Sequence, residues 1–324
     1  MSRTVDAPND AALAAQVHRL AVLVGAGLTP GAAWGHVARA SPDRALHEVA
    51  AAIERGGDIG DALEHAGRRT GGAAWQSLAV AWRVATASGA PLAPALRGFA
   101  EGLRDREAAR RDIEVALAGP RATARIVLAL PAVAILLGLM MGVDLLATLA
   151  HPVGAGAVAG GLTLIVIARW WMRRLLRAAE PPPPTVGLAL DLLAVAAGGG
   201  GSPEAAASLV SVELRRVGLG ADPATVAAKA TSTTTATATA AQHGSVAMAD
   251  LVRLSREAGA PLGELARADA AEARSSARAD ARHTAERLAV RLMVPLGACI
   301  LPSFLLLGVV PMLVALLSST ADAF

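Results

Sequence analysis

Two long apolar stretches interrupt a pattern that is otherwise charged and rich in alanine. Residues 126–168 contain no Lys, Arg or Glu, and residues 292–317 contain no charged residue at all. A helix needs about 20 residues to cross the hydrocarbon core of a bilayer. The first stretch, with 43 residues, therefore predicts two spans joined by a tight turn, at 126–147 and 153–173. The second stretch predicts a third span.

The basic residues predict how these spans are oriented. Of the 30 Lys and Arg residues, 15 precede residue 126 and the other 15 lie from Arg169 to Arg291, so the predicted turn and the tail at 319–324 have none. Lys and Arg stay on the cytoplasmic side of short loops. We therefore expect a cytoplasmic N-terminus and an extracytoplasmic C-terminus. The short apolar run at 20–28 has a counterpart deep in the chain at 188–197, which argues against a cleaved signal peptide.

The charged segments contain an internal repeat with an offset of 170 residues. Gly-Ala-Pro-Leu occurs at 89–92 and again at 259–262, each time before a charged helix and an apolar span. A glycine that follows a helix adopts the left-handed conformation that ends it, and a proline two residues later suits the first turn of the next helix. The repeat therefore predicts two equivalent helix corners. Their residues are Gly89, Pro91, Gly259 and Pro261.

These patterns predict an all-α integral membrane protein with two repeated cytoplasmic helical-bundle modules and three transmembrane helices. The helix after the first corner is predicted at 92–118, ending at Gly119-Pro120, and its counterpart at 262–291. The Thr/Ala tract at 231–241 predicts either a poor helix or a mobile loop, and we assign it no function. The predicted domains are the first module at 1–125, the membrane hairpin at 126–173, the second module at 174–291, the third span at 292–318 and the tail at 319–324.

Small residues spaced by four predict close helix packing within the membrane hairpin. Such small-xxx-small patterns let two helix backbones approach each other in lipid. The residues in question are Gly138, Gly142, Gly156 and Gly160.

The chain offers little chemistry for catalysis. Its only lysine, Lys229, is not part of a phosphate-binding loop, and its only cysteine, Cys299, allows no intrachain disulfide. Its histidines are not spaced as metal ligands are. We therefore expect no catalytic residue, no cofactor and no metal. A net charge of +3 with 2% aromatic residues gives no indication of nucleic-acid binding. Asp144 lies inside an apolar stretch, which keeps a small transporter or channel subunit as the alternative.

Several segments resemble the type II secretion system F family, which includes the platform proteins of type II secretion, type IV pili and tight-adherence (Flp) pili. The resemblance rests on the two corners and on four further segments. These are the glycine-rich openings at 20–31 and 188–201, Gly-Asp-Ile-Gly-Asp-Ala-Leu at 57–63, and the proline-containing apolar segment at 301–311. The two-module, three-span plan is similar to that of the secretion and type IV pilus members. The alanine-rich composition is more similar to that of the tight-adherence members.

The resemblance implies a platform or scaffold in the bacterial cell inner membrane that is not itself an enzyme. Such a protein would couple a cytoplasmic hexameric ATPase to the polymerisation of pilin or pseudopilin subunits, whose transmembrane helices would meet its spans. Membrane lipid and a second copy or a paralogue are further implied partners. The residues considered for partner contact fit a solvated face or a lipid-headgroup contact equally well. They are Arg104, Arg106, Arg110 and Arg111.

Overall fold

The computed structural model describes residues 10–70, 72–140, 152–177, 186–219, 232–310 and 313, and within these ranges it contains helices and turns but no strand. The first six helices are α1 (Asp10–Gly25), α2 (Pro30–Arg39), α3 (Arg44–Glu54), α4 (Ile59–Thr70), α5 (Ala73–Ser88) and α6 (Leu92–Met140). The next five are α7 (Pro152–Arg177), α8 (Leu188–Ala197), α9 (Pro203–Arg216), α10 (Ser232–Ala258) and α11 (Leu262–Arg291). The chain continues through α12 (Met293–Pro295), a π-helical turn (Leu296–Ile300), α13 (Leu301–Phe304) and a second π-helical turn (Leu305–Val309).

The chain divides into two compact units. The first consists of Met1–Ala109 and Pro182–Ala279, and the second of Arg110–Pro181 and Asp280–Phe324. Each unit therefore takes segments from both halves of the sequence, and α6 and α11 each contribute residues to both.

Helix α5 lies between the two hydrophobic cores of the first unit. On one side, Leu78 and Trp82 pack with α1 to α4, and the Trp34 and Trp82 rings are 6.2 Å apart. On the other side, Val80 and Val84 pack with buried residues of α8 to α11. A helix that is apolar around its circumference is buried on all sides, and α5 fits this description.

Local backbone conformation and capping hydrogen bonds account for several helix ends. Gly89 and Gly259, at the two predicted corners, both have positive φ, of 73° and 67°. The Ala90 N–H donates to the Ala85 carbonyl oxygen at 3.0 Å, which is the bond that a left-handed glycine at a helix end allows. Asp43 caps α3 by accepting a hydrogen bond from the Ala45 N–H at 2.9 Å.

Helix α6 does not end at Gly119-Pro120, as the sequence predicts, but continues to Met140. Gly119 has no positive φ and therefore does not act as a C-cap. Pro120 removes one backbone donor, but the helix continues through it to Met140. The second predicted helix, at 262–291, coincides with α11. The Thr/Ala tract at 231–241 is helical from Ser232 onward, as part of α10.

Two helical stretches are long and apolar enough to cross a membrane, Val153–Leu175 and Leu262–Val309. Of the first predicted span, residues 126–140 are helical in α6 and the remainder lies outside the described residues, as does Asp144. The predicted third span is helical from 293 to 310, with two π-helical turns that flank Pro302. Proline cannot donate to the preceding turn, and π turns are one way in which a helix adjusts to this.

Candidate functional site in the first unit

A cavity of about 350 Å³ lies within the first unit. One wall comes from the α5–α6 corner and from α6, with Pro91, Phe99 and Leu103, and the opposite wall from α8, with Leu188 and Leu192. The lining is mostly apolar. Four charged side chains also line it, namely Arg106, Asp191, Arg267 and Arg274.

The closest ion pair at this cavity joins α8 to α11. Arg274 Nη1 lies 2.6 Å from Asp191 Oδ2, and Arg274 Nε lies 3.4 Å from Asp105 Oδ2. The pKa of Asp191 is raised overall, mainly by burial and further by the nearby carboxylates of Asp105 and Glu101. The charge and hydrogen bond of Arg274 partly offset this rise. About a third of the Asp191 side chain, 31%, remains accessible. The carboxylate is thus partly buried and lines the cavity.

A glycine before α8 allows this pairing. Gly187 has a φ of 75°, and a Cβ built on it would lie 3.1 Å from the Ala270 carbonyl oxygen. A larger residue at this position would require both strain and displacement of α11. Gly187 therefore permits the close approach of α8 to α11 that brings Asp191 to Arg274.

The four arginines that the sequence suggested for partner contact lie in different surroundings. Arg106 is partly buried, lines the cavity and has its Nη2 3.2 Å from Asp10 Oδ2. Burial lowers the pKa of Arg106, and Asp10 partly offsets this. Arg104 is exposed, as is Arg111. Arg110 belongs to the second unit, where its Nε lies 3.2 Å from Glu114 Oε1.

A second charged cluster surrounds Arg83, near the middle of α5. Its Nη2 lies 2.6 Å from Asp61 Oδ1 and 2.6 Å from Glu64 Oε2, and only 9% of the side chain is exposed. The Arg216 guanidinium approaches Asp61 at 3.8 Å. Burial raises the pKa of Glu64, but the hydrogen bond and charge of Arg83 and the charge of Arg68 lower it overall. This cluster ties α4 to α5 and brings α9 close to both.

The sequence motif at 57–63 is explained by this cluster. Asp58 Oδ1 accepts a hydrogen bond from the Asp61 N–H at 2.9 Å at the start of α4. A Cβ on Gly60 would lie 2.8 Å from Arg83 Cγ, so the glycine leaves room for the arginine. Leu63 is fully buried. The motif therefore starts a helix, makes space for Arg83 and provides one of its carboxylates.

The glycines predicted for packing in the hairpin belong to the second unit. A Cβ on Gly160 would lie 3.6 Å from Leu306 Cδ1, whereas nothing lies within 4 Å of one on Gly156. Gly161, which is not part of the small-residue pattern, is in the tightest position, against Leu307. Gly138 is part of α6, and Gly142 lies outside the described residues.

The corner residues and the charged pairs are suited to holding helices in place. Pro91 lies at the cavity, and at the second corner, before Pro261, the Ser255 hydroxyl donates to the Ala260 carbonyl oxygen at 2.7 Å. Within the described ranges, no group of three or more His, Cys, Asp or Glu residues is placed to hold a metal ion. The chemistry that the cavity can provide is therefore recognition, through an apolar surface with an excess of guanidinium groups.

Sequence reasoning missed Asp191, Arg274 and Arg83, although a signal was present for two of them. Asp191 is the only charged residue of α8, and Arg83 is the only charged residue of α5. A single charge in an otherwise apolar helix is expected to be buried with a partner, because an unpaired buried charge is costly. Arg274 has no such signal, because α11 is charged along its length.

Residues 17–140 match the family model of type II secretion system protein F. The match confirms the resemblance that the sequence motifs indicated. It includes Arg83 with Asp61 and Glu64, and the first corner, but not Arg216, Asp191 or Arg274. Searches of curated proteins and of solved structures found no significant match.

Proposed function

We propose that this chain, which carries a type II secretion system protein F domain, is an inner-membrane platform of a secretion or pilus assembly machine. The match over residues 17–140 carries the proposal. Together with the apolar helices, it supports a secretion-related membrane protein in general. The finer proposal is that the platform couples a cytoplasmic ATPase to pilin or pseudopilin polymerisation and, like the platform components of this family, is not an enzyme.

The course of the two longest helices supports this role. Helix α6 begins at Leu92, carries its last charged residue at Arg125 and is apolar from there to Met140. Helix α11 ends at Arg291, and apolar helical segments follow directly to Val309. Such helices lead from a charged, water-facing region into lipid, as a protein that links cytoplasmic partners to membrane partners requires.

We further propose that the chain consists of two repeated modules with three spans. The two corner glycines share a φ near 70°. The second helix of each module begins in the same way, with Thr29 before Pro30 and Ser202 before Pro203, each side chain accepting a hydrogen bond from the backbone three residues on. The Arg282 guanidinium also binds Asp112 at 2.8 Å, and these positions are separated by the repeat offset of 170.

The experiment that tests this function is affinity purification of the full-length tagged protein from its bacterial host in mild detergent, followed by mass spectrometry. We expect a secretion-type ATPase and small pilin-like proteins to co-purify, whereas an unrelated inner-membrane protein with the same tag should retain neither. If neither class is enriched, the platform role is wrong. Transport would then be the function to test, with Asp144 as the first residue to replace.

A charge-reversal variant tests the ATPase contact. Arg104 is exposed, so Arg104→Glu is expected to reduce recovery of the ATPase without breaking an ion pair of the described structure. Arg55→Glu, an exposed arginine at the end of α3, is the matched control. Equal recovery with both variants would exclude Arg104 from the contact.

A further inference from the structure

Two groups can be distinguished among the arginines of the second unit. In the first group, Arg110 is paired with Glu114 and Arg282 with Asp112. In the second group, six exposed arginines have no carboxylate of the described residues within salt-bridge distance. We call this second group the arginine band. It consists of Arg125, Arg169, Arg173, Arg174, Arg287 and Arg291.

The packing of the second unit places the band along the part of its helices that is joined by two hydrophobic clusters. Two small hydrophobic clusters join α6, α7 and the segment after residue 280, and each arginine of the band lies within two residues of a member of one of them. The first cluster contains Ile113, Leu117, Met172, Leu288 and Leu292. The second contains Ala168, Cys299 and Ile300 with Val127 and Leu164 packed against them. The band therefore lies on all three of these helical segments, where charged sequence gives way to apolar sequence.

The spacing of the band brings like charges together. Arg169 and Arg173 are four residues apart on α7, as are Arg287 and Arg291 on α11, and residues at this spacing share a helix face. Like charges at this spacing destabilise a helix unless an anion lies between them. No Asp or Glu occurs at 145–179 or 287–321, and the adjacent Glu286 approaches His283 at 3.7 Å.

Apolar side chains next to the band indicate what kind of anion fits. The Arg174 guanidinium stacks over the Trp170 ring at 5.7 Å, and both Trp170 and Trp171 are exposed. Val166 and Ile167 on α7, and Met293 and Val294 after α11, are exposed as well. Tryptophan and arginine beside an exposed apolar surface are typical of the membrane interface. A ligand with a phosphate and an acyl chain matches both parts of this surface, whereas free phosphate matches only the arginines.

We propose that the arginine band is a binding surface for the headgroups of anionic phospholipids, with each pair of like-charged arginines bracketing a phosphate. The inference requires that the second unit spans a membrane, but it does not depend on the platform function. A lipid in this position would neutralise the repulsion within each pair and hold the cytoplasmic ends of the spans at a fixed depth.

The test uses the full-length protein in bilayers that mix phosphatidylcholine with phosphatidylglycerol, one of the two lipids being brominated. Bromine quenches the fluorescence of Trp170 and Trp171, so the quenching with each lipid reports the preference at the band. The wild-type protein is expected to prefer phosphatidylglycerol. An arginine near an anionic surface contributes roughly fivefold in binding, so R169Q/R173Q and R287Q/R291Q should each lower the preference by up to about 25-fold.

Three comparisons decide the outcome. R253Q/R256Q, which removes two exposed arginines of α10 in the first unit, should keep the wild-type preference, and R169K/R173K should retain most of it because the charges remain. The proposal is overturned if the wild type shows no preference, or if the glutamine and lysine variants lose it equally. Displacement of phosphatidylglycerol by millimolar inorganic phosphate would instead identify a site for free anions and would also overturn it.

Discussion

At the scale of single residues, Gly199 shows how one missing side chain permits a packing contact. A Cβ on Gly199 would overlap the backbone carbonyl oxygen of Ser88, at the end of α5. Backbone atoms cannot move aside as the end of a flexible side chain can. The glycine-rich turn between α8 and α9 therefore fits against the first corner only because Gly199 has no Cβ.

We expect Gly199→Ala to destabilise the protein by about 1–3 kcal/mol, which is the usual cost of overpacking. Gly201→Ala is the matched control, because nothing lies within 4 Å of a Cβ at Gly201. Thermal unfolding of the full-length protein in detergent, followed by tryptophan fluorescence, measures the difference. Equal melting temperatures for the two variants would show that the contact with Ser88 is absent.

The carboxylate of Glu64 gives a pH-dependent prediction at the same scale. Its pKa is lowered below the ordinary 4.5, because the hydrogen bond and charge of Arg83 outweigh the effect of burial. The unfolded chain therefore binds more protons than the folded protein in this range. The stability that Glu64 contributes is present above about pH 4.5 and is lost as the pH falls through the lowered pKa.

Glu64→Gln should cost roughly 1.5–3 kcal/mol at pH 7, the range for a hydrogen bond to a charged group. The difference from the wild type should shrink as the pH falls below about 4.5, because the wild-type carboxyl also becomes neutral. Unfolding measured between neutral pH and pH 3 tests this. A difference that stays constant with pH would mean that the ion pair does not contribute to stability.

At the scale of helices, the sequence predicts the ends that depend on local chemistry. The two corners follow from glycine with a proline two residues on, and the bounds of α11 follow from its corner and its apolar continuation. The end of α6 could not be predicted in this way, because Gly119-Pro120 carries a local stop signal that the surrounding helix overrides. The pairing of Asp191 with Arg274 could not be predicted either. Asp191 is recognisable as the single charge of α8, but a partner 83 residues away leaves no trace in local spacing.

Alanine substitutions test whether α6 is continuous. Nothing lies within 4 Å of a Cβ on Gly119, so Gly119→Ala should stabilise the protein by up to about 1 kcal/mol, as alanine does inside a helix. Gly89→Ala, at a φ of 73°, should destabilise it by about 1–2 kcal/mol. Melting temperatures of the full-length variants provide the comparison. If both substitutions are equally destabilising, the helix ends at Gly119 after all.

At the scale of the whole molecule, two sets of arginines, one in each unit, differ in exposure and in partners. In the first unit, Arg83 and Arg274 are enclosed and paired with carboxylates, so they hold packed helices together. In the second unit, the arginine band is exposed and lacks such partners. Uncompensated arginines beside exposed apolar side chains are suited to a membrane interface, which provides water and anionic headgroups for the arginines and acyl chains for the apolar residues. This contrast supports a water-facing first unit and a second unit that begins at a membrane interface.

The number of spans can be tested through the positions of two residues. Two helical stretches are long and apolar enough to cross a membrane, and a third span depends on the sequence at 126–147. An odd number of spans places Arg104 and the C-terminal tail on opposite sides, whereas an even number places them on the same side.

In a protein whose single cysteine, the buried Cys299, is replaced by serine, we expect Ala323→Cys to react with a membrane-impermeant maleimide on intact spheroplasts. Arg104→Cys should react only after permeabilisation. If both cysteines are labelled before permeabilisation, or both only after it, the number of spans is even and the predicted span at 126–147 does not cross the membrane. The residues at 126–147 would then have to be accommodated without crossing the bilayer, although they contain only one charged residue, Asp144. Burying so apolar a segment outside lipid would require a protein partner, which the affinity purification would then identify.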